Sequence, residues 1–123
     1  MSDRIRIVLV DDHPLFREGV AYTLGAQEDM EVVAQGENRD EAARLAERHA
    51  PDVLLLDISI PGGGIEAARA IAAAHPAIRI IMLTASVDED DLAAAMAAGA
   101  RGYILKGVAA RELVGIVRVV YAG

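Results

Sequence analysis

Apolar residues in this chain follow two alternating patterns, short unbroken runs and longer stretches with a helical repeat. The first strand pattern, Ile5 to Val10, is rich in β-branched residues and holds the unbroken apolar run Ile7 to Val10, and Asp11, Asp12 and His13 interrupt it before Pro14 opens a helical pattern reaching Gly25. Pro14 suits a first helical turn, because the N–H it lacks would have no partner there, and Gly25 can adopt the left-handed conformation past the helix end. The unit then recurs. Glu31 to Gln35 predicts a strand and Asp40 to His49 a helix, while Val53 to Leu56 predicts a buried strand and Ile65 to His75 an alanine-rich helix stopped by Pro76. Ile78 to Leu83 with Glu89 to Ala98, and Gly102 to Leu105 with Ala110 to Tyr121, complete five strand–helix pairs.

Strands alternating with helices over short connections imply a parallel sheet covered on both faces, since each return to a parallel neighbour needs a crossover element. The runs "VLLL" and "IIML" lack in–out alternation, as strands buried on both sides do. The expected fold is α/β, an open doubly wound sheet forming one domain over residues 1–123, with no linker or low-complexity tract inside it. The last helix carries apolar residues on more than one face, which fits either deep packing or an interface.

Composition narrows the function. The chain has 12 basic against 19 acidic residues, a net charge of −7, which is the wrong sign for neutralising a nucleic-acid backbone. No cysteine is present, so disulfides, thiolate metal sites and cysteine nucleophiles are excluded. The first apolar run is too short for a signal core or a membrane span, and a cytoplasmic protein without membrane partners is the expectation.

In open α/β sheets ligands bind beyond the carboxyl ends of the strands, so the residues that follow each strand matter most. They are Asp11 and Asp12 after the first, Asp57 after the third, Thr84 after the fourth and Lys106 after the fifth; the second offers only Gly36. Any one of these could be an ordinary loop residue, and an acid pair at a helix start also suits the helix dipole. Three carboxylates within ~5 Å, however, would repel by about 3 kcal/mol per pair at an effective dielectric near 20. A divalent cation compensates that. All-oxygen ligands favour magnesium over zinc. Asp57, followed by the glycine-rich "ISIPGGGIE", is the candidate nucleophile toward phosphorus, with Lys106 and Thr84 placed to meet phosphoryl oxygens.

The segments "IVLVDDHP", "VLLLDISIPGG", "MLTA" and "GYILK" resemble the receiver domain of two-component response regulators along essentially the whole chain. The resemblance implies a flavodoxin-like (βα)5 sheet in strand order 2-1-3-4-5; a chemotaxis receiver is a known example of that order. It implies that Asp57 accepts a phosphoryl group from a phosphohistidine on a sensor histidine kinase. Asp12, Asp57 and the backbone carbonyl of Ser59 would hold Mg2+, for which Mn2+ can substitute, with Asp11 joining mainly through water. Thr84 and Lys106 would grip the phosphoryl group, Tyr103 would act as the switch aromatic, and Ser59 and Ser86 would tune the lifetime of the phosphoryl group. The surface formed by the fourth helix, fifth strand and fifth helix would carry the signal, and a homodimer could use that surface or the first and fifth helices.

"DDHPLFREGV" and "GARGYILK" are most similar to the NarL/FixJ-type subgroup, whose receivers precede a LuxR-type helix-turn-helix domain. The expectation is thus a receiver cut from a longer transcriptional regulator, with a natural single-domain regulator as the alternative. Two departures from the family pattern lie in loops: Gly107 follows Lys106 where many receivers have proline, and "PGGGIE" is one residue shorter than the common form. The chain is expected to be a phosphoacceptor and not an enzyme, beyond magnesium-dependent self-phosphorylation and self-dephosphorylation. A magnesium phosphatase would want Asp-x-Asp after the first strand, and a nucleotide module a glycine-rich loop there; neither is present. A phosphorylation-independent interaction module is the runner-up. His13, His49 and His75 are expected at the surface or at helix ends, without a chemical role.

Overall fold

The computed structural model describes residues 3–123. Its elements run β1 (Ile5–Val10), α1 (Pro14–Gly25), β2 (Met30–Gly36), α2 (Arg39–His49), β3 (Val53–Asp57), α3 (Gly64–Ala74), β4 (Arg79–Thr84), α4 (Glu89–Ala97), β5 (Gly102–Leu105) and α5 (Ala110–Ala122). The five strands form one sheet in the order β2-β1-β3-β4-β5, every pairing parallel, which is the doubly wound flavodoxin-like order expected. Among the described residues no helix is long and apolar enough to cross a membrane.

Two cores explain the apolar strands. Val8, Val10, Leu54, Leu56, Ile80 and Met82 face α2, α3 and α4, while Ile7, Leu9, Leu55, Ile81, Leu83 and Ile104 face α1 and α5. Both pleat directions are therefore buried, so polarity has no period of two to display. Alanines at 42, 46, 67, 68 and 95 let three helices approach the sheet closely, and all five are buried. On α5, Leu113, Val114 and Val117 are buried, Ile116, Val120 and Tyr121 pack partly buried against the same core, and Val119 is exposed.

Local chemistry sets the helix ends. Asn38 caps α2 by accepting from the Glu41 N–H, and Asp88 caps α4 by accepting from the Asp90 and Asp91 N–H groups. Gly25 does not take up a left-handed conformation; it ends α1, and Ala26 follows in right-handed geometry, its N–H turned back to carbonyls of that helix. The left-handed C-cap falls instead on Ala50, at φ 43°, after α2. There the Arg6 guanidinium donates to the His49 carbonyl at 2.6 Å and the Ala50 carbonyl at 3.3 Å, supplying partners that the last turn lacks.

Asp57 and Thr84 were expected just past their strands and are instead the last strand residues. Parallel pairing carries on to Asp57↔Leu83 and Thr84↔Leu105, because the neighbouring strand is still in register at that level. Both side chains thus stand on sheet backbone and not on a loop.

Candidate functional site

Four strands deliver polar groups to one edge of the sheet. Asp11 follows β1, its N–H held by the Gly36 carbonyl at 3.0 Å, and its side chain is fully buried. Asp12 is next and about a third exposed. Asp57 ends β3 at 1% exposure, and Lys106 follows β5 with its N–H on the Thr84 carbonyl at 2.8 Å.

The side chains converge. Lys106 Nζ lies 2.8 Å from Asp11 Oδ2 and 3.4 Å from Asp57 Oδ1. One potential ligand atom from each of Asp11, Asp12, His13 and Asp57 falls within 4.8 Å of all the others. Asp12 Oδ1 and Asp57 Oδ1 are buried without a hydrogen bond, and buried Asp11 Oδ2 is held only by its ion pair with Lys106. The Lys106 ammonium at ion-pair distance only partly offsets the desolvation of these oxygens. A hard divalent cation fits this donor set: it is oxygen-rich, carries excess negative charge and has two buried oxygens without a hydrogen bond. Burial pushes the Asp57 carboxyl above its usual range and the Asp11 charge adds to the push, while Lys106 and the Ser59 contacts pull the other way.

The remaining expected residues are arranged less uniformly. Ser59 Oγ donates to Asp57 Oδ2 at 3.2 Å. The Thr84 hydroxyl donates to the Ser86 carbonyl at 3.0 Å, so it faces the β4–α4 loop and not the carboxylates. Tyr103 packs against the core on the α2, α3 and α4 side of the sheet, its hydroxyl buried with no hydrogen-bond partner. Ser86 is exposed and meets the site only through its backbone.

Glycine shapes the loop after Asp57. A Cβ on Gly64 would lie 2.3 Å from the Asp57 carbonyl oxygen and 2.7 Å from Ile58 Cα, so only glycine lets α3 start this close to the acceptor strand. Gly62 and Gly63 turn the chain there with φ of 92° and 94°.

His13 is exposed at the head of α1, as expected, and its ring also reaches the carboxylates, which was not foreseen. Its side chain caps nothing at α1; its ring turns into the cluster, with Nδ1 2.8 Å from Asp11 Oδ1, 3.4 Å from Asp12 Oδ1 and 3.0 Å from Lys106 Nζ. The cause is local. Asp11 Oδ1 also accepts from the His13 N–H at 2.9 Å, an Asx-turn that folds the third residue of Asp-x-His back over the first, and Asp at that spacing was the available signal. His49 and His75 close α2 and α3 as expected. Arg17 was not singled out in the sequence; it reaches the same loop from α1, donating to the Asp11 carbonyl at 2.6 Å.

A sequence profile described as the response regulator receiver domain matches residues 7–118. The transcriptional regulatory protein DegU of Brevibacillus brevis is 40% identical over 123 residues, covering 99% of this chain and 52% of that protein. The oxygen regulatory protein NreC of Staphylococcus epidermidis is 42% identical over 121 residues, covering 97% of this chain and 56% of its own length. The chain thus spans about half the length of these relatives. Among solved structures, the signal receiver domain of the response regulator NarL from Mycobacterium tuberculosis superposes with a TM-score of 0.95 at 34% identity, covering 98% of both chains.

Proposed function

The chain belongs to the response regulator receiver domain family, and from that premise we propose that it is a phosphorylation switch with Asp57 as acceptor. The observation that carries this reading is the convergence on Asp57: a carboxylate at a strand end, a lysine ammonium 3.4 Å from its Oδ1, and ligand atoms of Asp11, Asp12, His13 and Asp57 all within 4.8 Å of one another. In the proposed step an Asp57 oxygen bonds to phosphorus as the bond from phosphorus to a histidine nitrogen of a sensor kinase breaks. The released nitrogen keeps the bonding pair and is protonated.

Asp12, Asp57 and the Ser59 carbonyl would hold Mg2+, with Asp11 as an outer partner; when bound, the ion neutralises charge on the phosphoryl oxygens. Lys106 stands ready for a phosphoryl oxygen on Asp57. Thr84 would leave the Ser86 carbonyl for another such oxygen, drawing in the β4–α4 loop. Tyr103, on β5 next to the Thr84 strand and with an unpartnered hydroxyl, would respond, and the α4-β5-α5 surface would change with it. In a full-length protein about twice this size, that change would act on a DNA-binding output domain.

Intact mass tests the reading. With acetyl phosphate and Mg2+ the protein should gain one acid-stable, base-labile phosphoryl group, and Asp57→Asn should gain none. An adduct on both would overturn Asp57 as the acceptor, and no magnesium-dependent response in wild type would favour phosphorylation-independent binding instead.

A further inference from the structure

Arg17 stands where the two aspartates of the β1–α1 loop can be held from behind. Its side chain is 15% exposed, Nη1 donates to the Asp11 carbonyl at 2.6 Å, and Nη2 lies 3.4 Å from Glu37 Oε1 on the loop after β2. It therefore joins α1, the Asp11–Asp12 peptide and the end of β2 through one planar group.

The two acids depend on this differently. Asp11 has other anchors: its N–H on Gly36, its Oδ1 under the His13 N–H and ring, and its Oδ2 beside Lys106. Among the described residues, the Asp12 side chain has the His13 ring 3.4 Å from Oδ1 and no hydrogen bond to that oxygen. The Asp11 carbonyl lies in the same rigid plane as the Asp12 N–H, so a bond that stops this plane from turning also sets where the Asp12 side chain departs. We infer that Arg17 is a positioning residue for the cation site: its bond to the Asp11 carbonyl, braced by Glu37, pre-aims Asp12 at the point where the three carboxylates meet. This inference rests on the metal reading given above.

Geometry and charge predict opposite signs, which makes the role testable. A positive side chain near a cation site weakens cation binding by repulsion, so loss of Arg17 through charge alone would tighten binding. Loss of a positioning bond should weaken it, and partners of metal ligands are typically worth ten- to hundredfold in affinity. The experiment is Mn2+ titration of the whole chain, following the spectrum of the free aqueous ion. The expected result is binding by wild type, a dissociation constant raised about tenfold in Arg17→Ala, and less than half of that loss, on a logarithmic scale, recovered by Arg17→Lys. Glu37→Ala, which removes only an exposed brace, should weaken binding two- to threefold.

Circular dichroism without metal shows whether each variant is folded; should Arg17→Ala not fold, Arg17→Lys, which keeps the charge and alters the bond, carries the comparison. Unchanged or tighter Mn2+ binding in the folded variants overturns the role of Arg17 alone. A wild-type protein that leaves the free Mn2+ signal untouched overturns the metal reading and this inference with it.

Discussion

Lys106 Nζ sits closer to Asp11 than to Asp57, 2.8 Å from Asp11 Oδ2 against 3.4 Å from Asp57 Oδ1. The only lysine in the chain is thus shared by two buried carboxylates, and its ring neighbour Phe16 lies 4.7 Å beneath it. Removing the ammonium would leave both acids without their cation. Lys106→Met, which keeps most of the stem, should lower stability at neutral pH by about 1–3 kcal/mol. The loss should shrink as the pH falls through the carboxylate range and when Mg2+ is added. Urea denaturation across pH, with and without the ion, checks this; an undiminished loss at low pH would show that packing against Phe16, not charge, is what the lysine supplies.

Asp57→Asn should be more stable than wild type in metal-free neutral buffer. Because burial and the Asp11 charge raise the Asp57 pKa, the native state binds that proton more tightly than the unfolded chain does. The resulting contribution to stability is full below the ordinary carboxylate pKa and is lost as the pH rises through the elevated native value. At pH 7 the neutral amide escapes that loss, by about 1 kcal/mol, or roughly 3–5 °C in Tm. The two melting curves should converge on acidification. A melting point for Asp57→Asn at or below that of wild type at pH 7 would contradict the crowding described here.

Three glycine variants should separate by sign. Gly64→Ala puts a methyl group against the backbone of Asp57 and Ile58 and should cost about 2–4 kcal/mol, with phosphorylation impaired as the acceptor shifts. Gly19→Ala in α1 and Gly115→Ala in α5 meet nothing within 4 Å and should each stabilise by about 0.5–1 kcal/mol through helix propensity. Thermal melts of the three suffice. Tolerance of alanine at Gly64 would mean that the loop after Asp57 is looser than its contacts require.

Tyr103→Phe removes a buried hydroxyl that has no partner in this state. Stability of the unphosphorylated protein should be unchanged or up by as much as about 1 kcal/mol, since no hydrogen bond is lost and a desolvated oxygen is. Denaturant melts measure it directly. A loss above about 1 kcal/mol would show the hydroxyl to be bonded in solution.

Much of this molecule was legible in the order of its residues. Apolar runs four to six residues long between helical patterns specify parallel strands buried on both faces, and that arrangement carries Asp11, Asp57, Thr84 and Lys106 to one edge whatever their exact neighbours. Chain order and residue type suffice for this because the pleat and the crossovers leave few other topologies. Tertiary structure decided what direction alone settles: that Lys106 favours Asp11, that the Thr84 hydroxyl turns to the Ser86 carbonyl, that the His13 ring folds into the carboxylates and that Arg17 reaches the Asp11 carbonyl. Each depends on a rotamer chosen by contacts tens of residues away or by a turn of a few atoms. A pattern of residue types contains no side-chain angle, and a charge among three acids takes whichever partner the packed backbone has brought nearest.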